Sequence, residues 1–358
     1  MKRIIELDLL RILALIFVIF HHSTWWFVDK FPSASHYLKF FYLGDLGVSF
    51  FIILSGCALT ISGAKSDSSL NFYKKRFLSI LPPYWIAYLL VAILIFCING
   101  SFFNEFHLRT FLPTVFGMDG WLGTAGYKTY YLVGEWFTGF ILLVYAIAPI
   151  VIYLVKKKPF LSIIFFTAIS YLSIHFNSEF VQIFTVWSHN AFWNPTSRLA
   201  EFSVGILLGL LILNNKLFEK SFVFLTLSGI ATGILLYFSE KFYDGLKYLF
   251  YIALFIFLLT LFNFLKQAFS SAIKIKEVAK EFIPVISFFS SLSFLAFLFH
   301  HQLILLIMQR IPGGENSSAP LVSYGLLVCA TFCLSYALAY FALPLVLKLK
   351  QITKRIIF

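Results

Sequence analysis

Residues 7–27 read LDLLRILALIFVIFHHSTWWF. A helix needs about 20 mostly apolar residues to cross the hydrocarbon core of a bilayer, which is about 30 Å thick. This run has that length, yet it also carries Arg11, His21 and His22. Because ionisable groups are costly in a hydrocarbon layer, they mark functional sites by default. The run therefore predicts a membrane-crossing helix that contributes to a polar site.

Nine further apolar runs follow along the chain, at 40–62, 78–99, 132–154, 160–176, 199–214, 221–239, 246–265, 286–310 and 321–347. Of the 358 residues, 60% are hydrophobic and 12% are charged. Soluble domains have about 45–50% apolar residues and about 25% charged residues, so a soluble enzyme is excluded. A transmembrane β-barrel would alternate apolar and polar residues in segments of about ten, and this chain does not. We expect an all-α polytopic integral membrane bundle of about ten helices, forming one transmembrane domain over residues 1–358 without a separate soluble domain.

The basic residues predict the orientation of these helices, because lysine and arginine accumulate in cytoplasmic segments. With the N-terminus inside, 19 of the 28 lysine and arginine residues fall in inner segments and 8 in outer segments, while Arg11 lies within the first run. This asymmetry predicts two cytoplasmic termini and an even number of spans. The formal net charge of +12 comes from short clusters between apolar runs, so no nucleic-acid partner is expected.

Arg11 and His22 face the same way on the first helix. Eleven residues turn a helix about 20° past three full turns and rise about 16 Å along its axis, whereas His21 points about 80° away. A purely structural alternative also exists. In that alternative, Arg11 snorkels to the cytoplasmic surface or pairs with Asp8 three residues earlier, and His22 caps the outer end of the helix.

Several segments, in chain order, carry motifs that occur together in one known family. The residues ELDLLR at 6–11 lead through an apolar run to His22, which is the family's spacing of a basic residue, ten others and a histidine. The other segments are GVSFFIILSG at 47–56, FYKKR and LPPY within 72–84, Arg198 with Glu201, Phe202, Gly205 and Gly209, and residues 293–300. The pattern resembles acyltransferase family 3, multi-span bacterial enzymes that O-acylate surface glycans and related acceptors. One departure is Ser79, where the family often has a second arginine; Lys74 or Lys75 could supply that charge.

The resemblance implies an O-acetyltransferase that uses acetyl-coenzyme A as its acyl-donor substrate, without a permanently bound cofactor or a metal. Toward the cytoplasm lie the candidates for binding the donor's phosphates: Arg11, Lys74, Lys75 and Arg76. Nearer the middle and the outer half lie the catalytic candidates His22, Glu135, Asp45 and His300, and the substrate-binding candidates Arg198 and Glu201. The expected acceptor is a lipid-linked or surface glycan, and the expected location is the bacterial cytoplasmic (inner) membrane, where the chain contacts lipids.

Other interpretations stay open at this stage. A proton-coupled transporter or flippase would also bury arginine, histidine and glutamate among many spans, although the sequence shows no internal repeats of the kind common in transporters. Arg198 and Glu201 can pair with each other, and Gly205 with Gly209 can serve helix packing alone. The sequence leaves open the acceptor sugar, the acyl chain, the oligomeric state, and whether transfer is direct or passes through an acyl-histidine.

Overall fold

The computed structural model describes residues 3–63, 68–100, 108–133, 135–237, 247–270, 273–311 and 320–357. No strand occurs within these ranges. The chain is therefore an all-α protein, as its apolar runs predict. The helices are α1 (Ile5–Lys30), α2 (Ser35–Leu38), α3 (Gly44–Ser62), α4 (Ser69–Asn99), α5 (Leu108–Val115), α6 (Asp119–Thr124), α7 (Glu135–Lys157), α8 (Pro159–His175), α9 (Asn177–Ile183), α10 (Leu199–Leu213), α11 (Lys216–Glu219), α12 (Ser221–Tyr237), α13 (Lys247–Ser270), α14 (Ile273–Met308) and α15 (Pro320–Ile357).

Each of the ten predicted spans corresponds to one long helix: α1, α3, α4, α7, α8, α10, α12, α13, α14 or α15. Within the described residues, length and composition qualify seven helical segments as membrane-spanning, or up to eight if α8 and α9 form one span bent by 75°. Two helices outside that group are α1, which carries acidic and basic residues in its first half, and the 17-residue α12. The chain is a polytopic membrane protein, while the count of ten and the side of the termini stay predictions.

The closest helix crossing joins α3 to α10 and uses glycine on both sides. A Cβ atom on Gly205 would lie 2.1 Å from the carbonyl oxygen of Ile53, and one on Gly56 would lie 2.3 Å from that of Phe202. Small residues at a membrane-helix interface let the two backbones approach. The glycine spacing in α10 therefore serves packing.

Helix α1 lies at the centre of the bundle, in contact with α3, α13, α14 and α15. Its packing against α3 is also close, since a Cβ atom on Gly47 would lie 2.7 Å from the carbonyl oxygen of Ala14. Helices α3, α4, α7 and α14 supply most of the remaining walls of the cavities described below, and α6 and residues outside these helices complete them. The arginine and the histidines of α1 are thus held inside the protein.

Candidate active site

An inner cavity of about 230 Å³ lies toward the N-terminal end of α1. Arg11 from α1 and Arg76 from α4 both line it, together with Ser79 and Tyr145. The structure therefore brings together two of the four residues predicted to bind phosphates. Ser79, which departs from the family pattern, also faces this cavity, and its hydroxyl donates to the carbonyl oxygen of Arg76 over 2.9 Å.

Asp8 fixes the position of Arg11. The Arg11 guanidinium donates to Asp8 Oδ1 over 3.2 Å and to Ser290 Oγ over 2.9 Å, and Ser290 Oγ donates to the same carboxylate oxygen over 2.6 Å. Asp8 is 4% exposed and also pairs with Arg3. The pair with Asp8 that the sequence offered as a structural alternative is present, and it holds Arg11 at the cavity wall.

A second pocket, of about 250 Å³, opens beside the inner cavity where α3 ends and α4 begins. This inner-face pocket is lined by Lys75, Arg76 and Lys156, so Arg76 is shared with the inner cavity. The Arg76 guanidinium lies 6.0 Å from the ring centre of Tyr145. Lys74 is half-buried one position before Lys75 and does not line either space. Lys156, which is not among the four residues predicted to bind phosphates, also lines this pocket.

An outer cavity of about 600 Å³ lies near the other end of α1. His21, His22 and Asp45 line it, with His301 from α14. Most of the remaining wall is aromatic and is formed by Trp25, Trp26, Tyr42, Tyr131, Trp136, Phe137, Trp193 and Phe297. The rest of it comes from Val18, Gly44, Val48, Gly120, Thr124 and Asn190. His21 thus faces the same space as His22, although helix geometry separates their directions.

Four imidazoles form one cluster, in which His21, His22 and His301 line the outer cavity and His300 packs against His22 without lining it. The His22 ring centre lies 5.3 Å from that of His300, 5.5 Å from that of His301 and 5.0 Å from that of His21. His300 is fully buried, and its Nδ1 bonds to the carbonyl oxygen of Phe297. Because a carbonyl oxygen only accepts, Nδ1 carries a proton, which leaves Nε2 as the acceptor of the neutral ring. The short distance between their ring centres makes His300 a direct neighbour of His22.

The acidic candidates occupy different places. Asp45 lies in the first turn of α3 at the cavity wall and pairs with Lys247 over 3.0 Å. Glu135 is the first residue of α7, and its side chain lies outside the described residues. Their role in orienting His22 stays a prediction.

Arg198 and Glu201 are buried in an ion pair with each other, and neither lines the inner or the outer cavity. The Arg198 guanidinium also donates to Ser49 Oγ over 2.7 Å and lies 4.6 Å from the ring centre of Tyr248. The geometry gives this pair a positioning role, because it ties α10 to α3 one turn after Asp45. Direct binding of substrate by the pair stays a prediction.

A buried carboxyl supports the outer cavity from the side of α6. Tyr84 Oη donates to Asp119 Oδ1 over 2.5 Å, and Thr114 Oγ1 donates to the other oxygen over 3.4 Å. Desolvation raises the pKa of Asp119 to about 6, against an ordinary value of 3.8. Gly120, the next residue, lines the outer cavity.

Among the described residues, no group of three or more histidine, cysteine, aspartate or glutamate residues could hold a metal ion.

Two residues that sequence reasoning missed, Phe137 and Phe297, line both cavities. The chain has 46 phenylalanines, and nothing in the local pattern distinguishes these two. Ser290 offered a weak signal, since it belongs to a group of serines in an otherwise apolar part of α14. Only the tertiary arrangement shows what these side chains contact.

The structure thus defines a polytopic membrane protein whose helices enclose cavities lined in part by arginine and histidine side chains. The family model described as an acyltransferase domain matches residues 4–340. The chain belongs to acyltransferase family 3 and is a membrane acyltransferase. No curated protein and no solved structure matches it.

Proposed function

We propose that this protein is an O-acetyltransferase that moves an acetyl group from cytoplasmic acetyl-coenzyme A to a hydroxyl of a cell-envelope glycan. The observation that carries the proposal is a series of three adjacent spaces. The inner-face pocket and the inner cavity share Arg76, and the inner and outer cavities share Phe137 and Phe297. Cations line the beginning of the series and imidazoles line its end.

The cationic end suits the donor. Coenzyme A carries several phosphates, and lysine and arginine match phosphate oxygens in charge and hydrogen-bonding geometry. Lys75, Arg76 and Lys156 at the inner-face pocket would hold these phosphates, and Arg11 would bind further in. This arrangement directs the pantetheine arm and its thioester along α1 toward His22.

The imidazole end suits proton transfer. Neutral His22 takes the proton of the acceptor hydroxyl as a general base. The hydroxyl oxygen then attacks the thioester carbonyl carbon, a C–O bond forms, the C–S bond breaks, and the leaving thiolate takes up a proton. In the alternative route, an imidazole nitrogen of His22 first displaces the thiolate and becomes acetylated. The acceptor hydroxyl then displaces the imidazole, and its proton passes to the thiolate. His300, packed against His22, would keep its ring in place in either route.

The outer cavity also supports a glycan as the acceptor class. Aromatic rings are large rigid surfaces with an apolar face, which suit the C–H faces of a sugar ring. Asp45 and Asn190 add polar groups for hydroxyls at the same wall. An acceptor at this position would be a lipid-linked or surface glycan at the outer half of a bacterial cytoplasmic membrane.

The proposal is tested by mass spectrometry of envelope glycans from matched cells that contain the wild-type protein, the His22→Ala variant or no copy. We expect acetyl esters only with the wild-type protein. If the glycans are identical in all three strains, while a solute accumulates on one side of vesicles that contain the protein, a carrier function replaces the proposal.

A further inference from the structure

Two phenylalanine rings separate the inner cavity from the outer cavity. Phe137 from α7 and Phe297 from α14 line both spaces, and their ring centres lie 5.5 Å apart at an angle of 71°. Phe51 from α3 lies 5.9 Å from Phe137 and 6.0 Å from Phe297 and lines the inner cavity alone. The partition between the arginines and the histidines is therefore one pair of side chains thick.

The two rings of the partition pack edge to face against each other in this structure. Phe137 is 6% exposed and Phe297 is 3% exposed, so little water reaches either ring. A thioester held in the inner cavity would be kept from the outer cavity and from His22 by these rings. The acyl group must pass between them before any transfer that uses His22, and a change of side-chain rotamer is enough to move a ring without moving its helix.

The partition is also tied to the imidazole cluster. The carbonyl oxygen of Phe297 accepts the bond from His300 Nδ1, and the two rings lie 5.2 Å apart. His300 in turn packs against His22. The backbone at Phe297 is thus fixed by its own helix and by His300, which leaves the ring as the movable part.

We propose that Phe137 and Phe297 form a gate that selects the acyl group by size as it passes from the inner to the outer cavity. This inference rests on the proposed function. A tightly packed site discriminates one methylene group by roughly 10- to 200-fold. The pair would therefore favour acetyl over longer acyl groups, and a smaller or more flexible side chain at either position would relax that preference.

The test measures kcat/KM of the purified full-length protein with acetyl-, propionyl- and butyryl-coenzyme A and one glycan acceptor. We expect Phe137→Leu and Phe297→Leu each to raise the ratio of butyryl to acetyl transfer by about tenfold or more. Phe255→Leu is the matched control, because Phe255 is also fully buried but lines neither cavity. It should keep the wild-type ratio.

If both gate variants transfer acetyl groups and their ratio of butyryl to acetyl transfer is equal to or lower than that of the wild-type protein, the gate is refuted and the proposed function stands. If the wild-type protein transfers no acyl group from any of the three donors, the proposed function fails and the gate falls with it. Phe137→Met and Phe297→Met carry the same expectation where a leucine variant does not fold, because methionine fills the space of a larger side chain while remaining flexible.

Discussion

Arg11 shows how a charged side chain can be paired inside a helix bundle and still face a cavity. Its side chain is 29% exposed and lines the inner cavity, while one of its guanidinium nitrogens donates hydrogen bonds to Asp8 and Ser290. The carboxylate of Asp8 is shared with Arg3, whose guanidinium also donates to the carbonyl oxygen of Ser287 over 2.7 Å. Asp8 is therefore a positioning residue for Arg11, the cation that we propose to bind the donor.

We expect Asp8→Asn to weaken binding of acetyl-coenzyme A, because Arg11 loses the charge that fixes it. Arg11→Ala should weaken it by roughly ten- to a hundredfold, since a hydrogen bond to a charged group is worth about 1.5–3 kcal/mol. Isothermal titration of the purified protein measures both. Lys157→Ala is the control, as Lys157 lies next to Lys156 but lines neither the inner-face pocket nor the inner cavity. Equal donor affinity in all variants would refute this assignment.

At the scale of helices, the site depends on the close approach of α3 and α10, because α3 carries Asp45 and Ser49 to it. Gly205→Ala should lower the thermal midpoint of the protein. Its Cβ atom would lie 2.1 Å from the backbone oxygen of Ile53, and overpacking of this kind typically costs about 1–3 kcal/mol. Gly233→Ala is the matched control, since no atom lies within 4 Å of a Cβ atom there. Equal midpoints for the two variants would contradict this account of the crossing.

The short helix α6 makes stability depend on pH through Asp119. Its folded pKa of about 6 lies above its ordinary value of 3.8 because of desolvation. Between these two pH values the folded carboxyl holds a proton that the unfolded one has lost, so stability falls as pH rises through this range and levels off above it. Relative to Asp119→Asn, the wild-type protein should lose up to about 3 kcal/mol between pH 4 and pH 7. Thermal midpoints of both proteins measured across this pH range test the prediction. If the midpoints of the wild-type protein and the Asp119→Asn variant change with pH in the same way, the prediction is wrong.

How far the helices follow from the sequence depends on what hydropathy detects. The apolar runs located every long helix, but they underestimated the lengths of α14 and α15. Helix α14 begins earlier, at Ile273, and α15 ends later, at Ile357. Charged residues such as Lys348 and Arg355 end an apolar run without ending a helix, because a helix continues readily into water. Helical periodicity placed Arg11 and His22 on one face of α1. It could not place Phe137 beside Phe297, since that contact joins two helices far apart in sequence.

At the scale of the whole molecule, the residues that line the two cavities show the direction in which each helix runs between them. Along α1 the lining residues pass from the inner cavity at Arg11 to the outer cavity at His22, and α14 runs the same way from Ser293 to His301. Helix α3 runs in the opposite sense, from Asp45 at the outer cavity to Ser55 at the inner one. These directions agree with the alternation of crossings that the basic residues predict.

The predicted orientation can be checked by labelling single cysteines in a background without the four native ones. We expect a cysteine at Lys157 to react only with a reagent that reaches the cytoplasm. A cysteine at Tyr127, which is 44% exposed, should react with an impermeant reagent from outside. Labelling of both positions from the same side would overturn the orientation and with it the cytoplasmic origin of the donor.

The central claim is that His22 performs the transfer, and the most direct measurement is the rate of acetyl transfer from acetyl-coenzyme A to a glycan by the purified protein. His22→Ala should lose about a hundred- to ten-thousandfold in rate, the usual contribution of a general base. His36→Ala should keep the wild-type rate, because His36 is exposed and lines neither cavity. A His22→Ala protein that transfers acetyl groups as fast as the His36→Ala protein would contradict the account.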